Sequence, residues 1–191
     1  MTRRILGLAG APGAGKTMYA ARVVADSERS GVPAAQVPMD GFHLADEVLA
    51  ALRLLDRKGA PDTFDANGFA ALLRRLRAVE DAVVYAPEFR REIEEPVACA
   101  LPVPREVPLV VTEGNYLLVG DEAWGPVRAL LDEAWFVETN QERRVEWLIA
   151  RHVAFGKAPE HAREWVLRSD ERNAALVATT QGRADLVVRI G

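Results

Sequence analysis

Apolar positions along the chain follow two rhythms. Residues 4–9 form a short apolar run that ends in a glycine-rich turn, which predicts a buried strand. Residues 109–114 give the clearest such run, stopped by Gly114, and residues 34–39, 134–138 and 184–190 repeat the pattern. Between these runs apolar side chains recur every three or four residues. That spacing predicts helices over 15–28, 44–55, 67–78, 141–155 and 159–178. Phe69, Leu72, Leu73 and Leu76 make one stripe of the third helix; Gly156 ends the fourth, and Pro159 suits the first turn of the fifth. Residues 57–62 read as a loop, marked by Gly59 and Pro61. Residues 82–105 read as extended and irregular, because Pro96, Pro102 and Pro104 forbid a helix there.

Strands alternate with helices, and the strands are apolar throughout. That is the signature of a parallel sheet covered on both faces. No repeat, low-complexity tract or long linker divides the chain, so its 191 residues are expected to form one domain.

Composition narrows the partners. The hydrophobic content of 49% is enough for a core without disulfides or a structural metal. A net charge of -4 argues against a nucleic-acid surface. The N-terminal apolar run is too short for a signal peptide, and no run approaches the length of a membrane span, so a cytoplasmic protein with no membrane partner is expected. The single cysteine, Cys99, reads as a small apolar filler. The four tryptophans read as packing or helix-face residues. Of 24 basic residues only Lys16, Lys58 and Lys157 are lysine. A compact ammonium is not equivalent to a guanidinium, so these three positions stand out.

The chemistry begins at residues 10–17. Gly10, Gly15, Lys16 and Thr17 complete the pattern G-x-x-x-x-G-K-[ST], between a predicted strand and a predicted helix. Glycines let successive backbone N–H groups point at one phosphate, and the helix N-terminus adds partial positive charge. Lys16 is placed for the outer phosphates and Thr17 for Mg2+. The candidate nucleotide set is Gly10, Ala11, Pro12, Gly13, Ala14, Gly15, Lys16, Thr17 and Met18. The fold class is therefore α/β: a P-loop NTPase of three α/β/α layers, with a mostly parallel five-stranded sheet and a helical lid at about residues 141–160. Neither N-K-x-D nor a D-x-x-G switch directly after a strand is present, which argues against a GTPase, and the small size favours a kinase of a small molecule.

Two acids fall at strand ends, where ligands of such sheets sit: Asp40 after the second strand and Glu113 at the end of the third. A hydroxyl kinase needs one carboxylate to orient the acceptor and take its proton, and another near Mg2+. Asp40 suits the first role. Glu113 suits the second.

The chain resembles the phosphoribulokinase/uridine kinase superfamily, on the side that includes bacterial pantothenate kinase. The resemblance is carried by residues 10–17, by Asp40-Gly41-Phe42-His43, by residues 57–65 (Arg-Lys-Gly-Ala-Pro-Asp-Thr-Phe-Asp), by Glu113-Gly114-Asn115-Tyr116-Leu117-Leu118, and by Arg151-His152 followed by Phe155-Gly156-Lys157. It is most specific to a nucleoside/nucleotide kinase-like, or fructose transport system kinase-like, group. It implies ATP-dependent phosphorylation of a small-molecule hydroxyl, with ATP and Mg2+ as cofactors. Asp40, Lys16 and Arg151 would be catalytic, and Thr17 and Glu113 the metal ligands. Arg144 and Arg151 of the lid, with Lys157 as a further candidate, would close on the triphosphate, and Asn173 would approach the adenine. His43, Lys58, Tyr85, Phe89, Arg91, Glu113, Asn115 and Tyr116 would line the acceptor site with Asp40. Arg91 would favour an acceptor with a carboxylate or phosphate.

Pantothenate, a nucleoside, and a sugar or sugar acid all remain open as acceptors. A regulatory or chaperone-type P-loop protein that binds ATP without small-molecule kinase activity is the alternative; the presence of both Asp40 and Glu113 counts against it. Kinases of the resembled superfamily are often dimers or tetramers, so a homodimer is open, although no segment marks an interface.

Overall fold

A computed structural model describes residues 2–190. Seven strands and seven α-helices follow in the order β1 (Arg4–Ala9), α1 (Lys16–Arg29), β2 (Ala34–Pro38), α2 (Asp46–Ala51), α3 (Ala66–Ala78), β3 (Val83–Arg90), β4 (Glu95–Pro104), β5 (Leu109–Gly114), α4 (Gly125–Arg128), β6 (Glu133–Thr139), α5 (Gln141–Ala154), α6 (Pro159–Trp165), α7 (Glu171–Ala178) and β7 (Leu186–Ile190). Five strands form one parallel sheet in the order β2-β5-β1-β6-β7. This is the α/β sheet that the alternation of apolar runs implies.

Period-two alternation within the buried strands divides the core between the two faces of the sheet. Leu6 and Leu8 of β1 pack with Val111, Val137 and Ala20, against Tyr19, Val23 and Val24 of α1. Ile5 and Ala9 face the other way, into a larger cluster with Phe69, Leu73 and Leu76 of α3 and with Tyr116, Leu117 and Trp124. Helix starts are capped where short polar side chains precede them. The Asp65 carboxylate accepts from the Gly68 N–H at 2.8 Å, and the Asn140 side chain from the Arg143 N–H at 3.1 Å.

Four features differ from the sequence expectation. The segment expected as irregular pairs with itself: β3 and β4 form an antiparallel hairpin with a register shift between Ala86 and Glu88. Pairing between segments of a hairpin is non-local, and prolines obscure the strand pattern without preventing it at an edge. Cys99 lies on that hairpin, exposed and left-handed at φ +57°, and fills no core. The helix expected over 44–55 shrinks to α2, since residues 55–57 and 61–63 curl into 3-10 turns. The last long helix is continuous but changes register, with a π-helical turn over Val166–Asp170 between α6 and α7. No helix of the described residues is long and apolar enough to cross a membrane.

The buried Arg3 guanidinium ties the hairpin to the sheet. It donates to carbonyls of Leu76, Pro104, Arg105 and Val107, and so joins the entry of β1 to the end of α3 and the exit of β4. That linkage holds the base of the hairpin at the amino end of the sheet, while Pro87 of β3 packs on Gly41 beyond the carboxyl end of β2, where the site lies.

Candidate active site

A cavity of about 920 Å3 opens over the carboxyl ends of the strands. One end is the loop between β1 and α1. Gly13 takes φ +75°, and a Cβ there would meet Leu148 Cγ at 2.5 Å, so α5 rests directly on the loop. Gly15 precedes α1 at φ +82°, the left-handed conformation that glycine adopts without strain. Lys16 is 7% exposed, and its Nζ donates to the Ala11 carbonyl at 2.9 Å and to Asn115 Oδ1 at 2.8 Å. Burial lowers its ammonium to about 8, against the opposing charges of Glu113 and Asp40.

Strand register brings the two acids together. β2 pairs with β5 so that Pro38 faces Glu113, and the chain then turns through Met39–Phe42, placing Asp40 just beyond Glu113. Gly41 sits hard against the Pro87 carbonyl of the hairpin, a contact that leaves no room for a Cβ. Thr17 Oγ1 donates to Glu113 Oε1 at 2.9 Å. Glu113 is pushed up to about 7, chiefly by burial and then by Asp40, with Lys16 and Thr17 opposing. Burial also opposes ionisation of Asp40, but the charges of His43, Arg91, Lys16 and Arg151 outweigh it and hold the carboxyl below its ordinary range. Arg91 NH2 lies 3.4 Å from Asp40 Oδ2. At neutral pH the guanidiniums and Lys16 carry this effect, because burial lowers the His43 imidazole below its ordinary value.

The wall facing the loop is aromatic and charged. His43 Nδ1 donates to the Asp40 carbonyl at 2.8 Å, and its ring lies between Phe64 and Phe89, at centroid distances of 4.0 and 4.6 Å. The Lys58 ammonium and Arg91 guanidinium stand over the Phe89 ring at 5.3 and 5.8 Å. Lys58 is paired with the Asp46 carboxylate and donates to the Glu94 carbonyl. Both cations therefore already have anionic partners, which weakens the expectation that Arg91 selects an anionic acceptor.

The third wall comes from α5, the loop after it and the π turn. Arg151 borders the cavity, and its guanidinium makes no hydrogen bond or ion pair among the described residues; burial and then Arg91 lower it below the ordinary value. His152 Nε2 meets Asp170 Oδ2 at 3.2 Å, and the π turn ends at that aspartate. Lys157 stands 5.3 Å over the Trp165 ring.

Of the residues expected at the site, the cavity brings together Pro12, Gly13, Gly15, Lys16, Thr17, Met18, Asp40, His43, Lys58, Phe89, Arg91, Glu113, Asn115 and Arg151. Gly10, Ala11 and Ala14 of the expected loop set are not on that lining, and four further expected side chains, beyond the loop, stand elsewhere. Arg144 is 2% exposed, donates to the Pro12 carbonyl at 3.0 Å and pairs with Glu171, so it braces the loop from behind. Asn173 donates to the Gly59 carbonyl at 3.2 Å, which also accepts from the Tyr116 hydroxyl; the amide thus anchors the 59 loop and does not face the cavity. Tyr116 is buried in the core, and burial pushes its phenol up. Tyr85 is 53% exposed on the outer part of β3.

Sequence reasoning named His152 only within the motif around Arg151 and gave no site role to Asp170, Trp147 or Trp165; all four border the cavity. Trp124 does pack in the core, at 1% exposure. The available signal for Trp147 was its spacing of four from Arg151, which places both on one helix stripe. The π turn that aims Asp170 has no signature in apolar spacing.

Among the described residues no cluster of three or more His, Cys, Asp or Glu is placed to hold a metal ion. Mg2+ does not need one, because it keeps much of its shell from water and phosphate oxygens. Thr17 and Glu113 offer it two hard oxygen donors, 2.9 Å apart and next to Lys16.

Comparison with known proteins agrees with this geometry. The profile of the Phosphoribulokinase / Uridine kinase family matches residues 5–191. The uncharacterized protein YggC of Escherichia coli K12 is 35% identical, over 98% of this chain and 78% of its own length. A protein of Schizosaccharomyces pombe, provisionally described as a uridine kinase, is 32% identical over 98% of this chain and 83% of its own. A crystal structure from Silicibacter sp. TM1040, of a protein provisionally described as a fructose transport system kinase, superposes with a TM-score of 0.90 at 34% identity. It covers 98% of this chain and 90% of that one.

Proposed function

Because this chain belongs to the phosphoribulokinase/uridine kinase family, we propose that it transfers the γ-phosphoryl group of ATP to a hydroxyl of a small molecule held between Asp40, the His43–Phe89 wall and Arg151. The observation that carries the proposal is the placement of Asp40 within one cavity with Lys16, Glu113 and Arg151. A protein that only senses a nucleotide has no use for an acceptor base beside the phosphate loop.

The roles follow from position. The loop N–H groups and Lys16 hold the outer phosphates. Asp40 accepts the acceptor hydroxyl's proton as its oxygen attacks phosphorus. Its low basicity suits a loose transition state, in which little proton transfer is needed before the phosphoryl group moves. The Arg151 guanidinium has no partner among the described residues and can meet charge that develops on the phosphoryl oxygens. Mg2+, held by Thr17 and Glu113 together with the phosphates, would neutralise charge on the outer phosphates. Glu113 accepts a hydrogen bond from the Thr17 hydroxyl, which holds the two oxygen donors side by side.

The acceptor wall offers aromatic faces at Phe64 and Phe89 and carboxylates at Asp46 and Asp170. Aromatic faces with flanking carboxylates suit a compact polyhydroxylated compound, sugar-like or nucleoside-like. An ADP-release assay over nucleosides, pantothenate, sugars and sugar acids tests the reading. Acceptor-dependent ADP release from at least one class supports it. Tight ATP binding with no acceptor-dependent release across the panel would reject it.

A further inference from the structure

The cavity wall beside the phosphate loop carries an aromatic ring that the chemistry above does not use. Trp147 lies two turns into α5, 43% exposed, and borders the cavity with Pro12, Gly13, Met18 and Leu148. None of these five side chains is charged. Trp147 precedes Arg151 by four residues, so the two share one stripe of the helix, about 6 Å apart along its axis. Arg151 is the member that feels the charges of Asp40 and Glu113. Trp147 is therefore displaced from the transfer point toward the start of α5, where the helix leaves β6.

Strand order gives that displacement a meaning. β2, which delivers Asp40, and β6, which delivers α5, flank the central pair β5-β1 on opposite sides. The phosphate loop follows β1 and lies between them. A triphosphate on the loop with its outer phosphoryl group toward Asp40 must run its nucleoside toward the β6 side, under Trp147. Met18, 78% exposed on the first turn of α1, is a second apolar side chain on the cavity lining. The outer face of the indole is also occupied. The Arg143 guanidinium stands 5.9 Å over the ring and does not border the cavity, so the ring meets the cavity with its remaining surface.

We propose that Trp147 is the stacking platform for the base of the bound nucleotide, with Met18 and Pro12 completing the slot. The inference rests on the nucleotide reading of the phosphate loop. A stacked ring grips every base through its π face, and a purine more than a pyrimidine because it overlaps more surface. Trp147, Met18 and Pro12 carry no charge, so their grip on a base is a matter of surface overlap and their preference a graded one.

Calorimetric titration with ADP and with tripolyphosphate, both with Mg2+, separates the base from the phosphates. In Trp147→Ala, ADP affinity is expected to fall by about tenfold, the size of one lost base–aromatic stack. Tripolyphosphate affinity is expected to stay within about twofold, and Trp147→Phe to recover most of the ADP affinity. ADP should quench the tryptophan fluorescence of the wild-type protein, and Trp147→Phe should lose most of that quench. Equal weakening of both ligands would mean that Trp147 only props the loop and would overturn the proposal; so would unchanged ADP affinity in Trp147→Ala. A wild-type protein that binds neither ligand would reject the nucleotide reading itself, and the stacking role with it.

Discussion

The two ends of the cavity are built by opposite means. The phosphate end is a single stretch, residues 10–18, of which Pro12, Gly13 and residues 15–18 reach the cavity through a tight turn that the positive φ of Gly13 and Gly15 permits. The opposite wall is gathered from residues 40–46, 55–64, 89–94 and 151–170, which meet only because β2 pairs with β5 and the hairpin folds over Gly41. The first end depends on backbone geometry and so tolerates little variation. The second depends on side chains that each hang from a different element, so it can be re-lined without disturbing the loop. A common donor end with a variable acceptor end is the expected result.

The sharpest way to break this division is to cut chemistry on one side only. Asp40→Asn keeps the size of the side chain and removes its proton acceptor. With an acceptor that supports ADP release, kcat should fall by about 10^2- to 10^4-fold, the range for loss of a general base. ADP affinity, measured by calorimetry, should change by less than about twofold, because no loop contact is touched. Comparable losses in both would show that the two ends are not independent.

Arg144 tests the donor end from behind. Its guanidinium is buried and shared between the Pro12 carbonyl and Glu171, so α5, the loop and α7 converge on it. Arg144→Leu removes one member of a largely buried ion pair and should cost about 3 kcal/mol of stability in urea unfolding. ADP and tripolyphosphate should weaken together, since the loop itself relaxes. If instead stability holds and only the phosphate affinity drops, Arg144 reaches the phosphates directly, as the sequence suggested, and the bracing role fails.

Two buried charges between the ends give the unliganded protein a pH signature. Glu113 titrates near 7 in the fold against an ordinary 4.5. Between those values the folded form holds a proton that the unfolded form has lost, so stability falls as pH rises through that window. Lys16 titrates near 8 against 10.5, and there the unfolded form holds the extra proton, so stability rises again above 8. These two groups place a minimum between about pH 7 and 8, with an amplitude on the order of 1–3 kcal/mol. Urea unfolding of Glu113→Gln should lack the falling limb. A variant that keeps the full limb would show that another group causes it.

Legibility in the sequence follows the same division. The strand-helix order, the phosphate loop and the strand-end acids could be read because each is encoded by neighbours in the chain: apolar runs, a glycine spacing, an acid after a strand. The hairpin could not, since its pairing joins residues up to about twenty apart and its prolines mask the alternation. Arg144 and Arg151 looked equivalent on one helix, yet one turns under the loop and the other into the cavity, a difference set by how α5 rests on Gly13. Asn173 looked like a nucleotide contact, but the long helix changes register at Val166–Asp170, and the amide lands on the Gly59 carbonyl.

Tyr85 and Phe89 give the smallest expected effect and locate the edge of the acceptor wall. Both lie on β3, four residues apart, and both were expected to meet the acceptor. Four residues of strand span about 13 Å. Phe89 is held at the His43 ring, whereas Tyr85 lies beyond the bulge, more than half exposed and away from the cavity. Phe89→Ala should raise the acceptor KM, because it removes the face on which Lys58 and Arg91 rest. Tyr85→Ser should leave that KM unchanged and alter stability by no more than about 0.5 kcal/mol, the usual range for an exposed position. A raised acceptor KM in Tyr85→Ser would mean that the wall extends along the hairpin past the bulge, and that the hairpin closes over the acceptor when it binds.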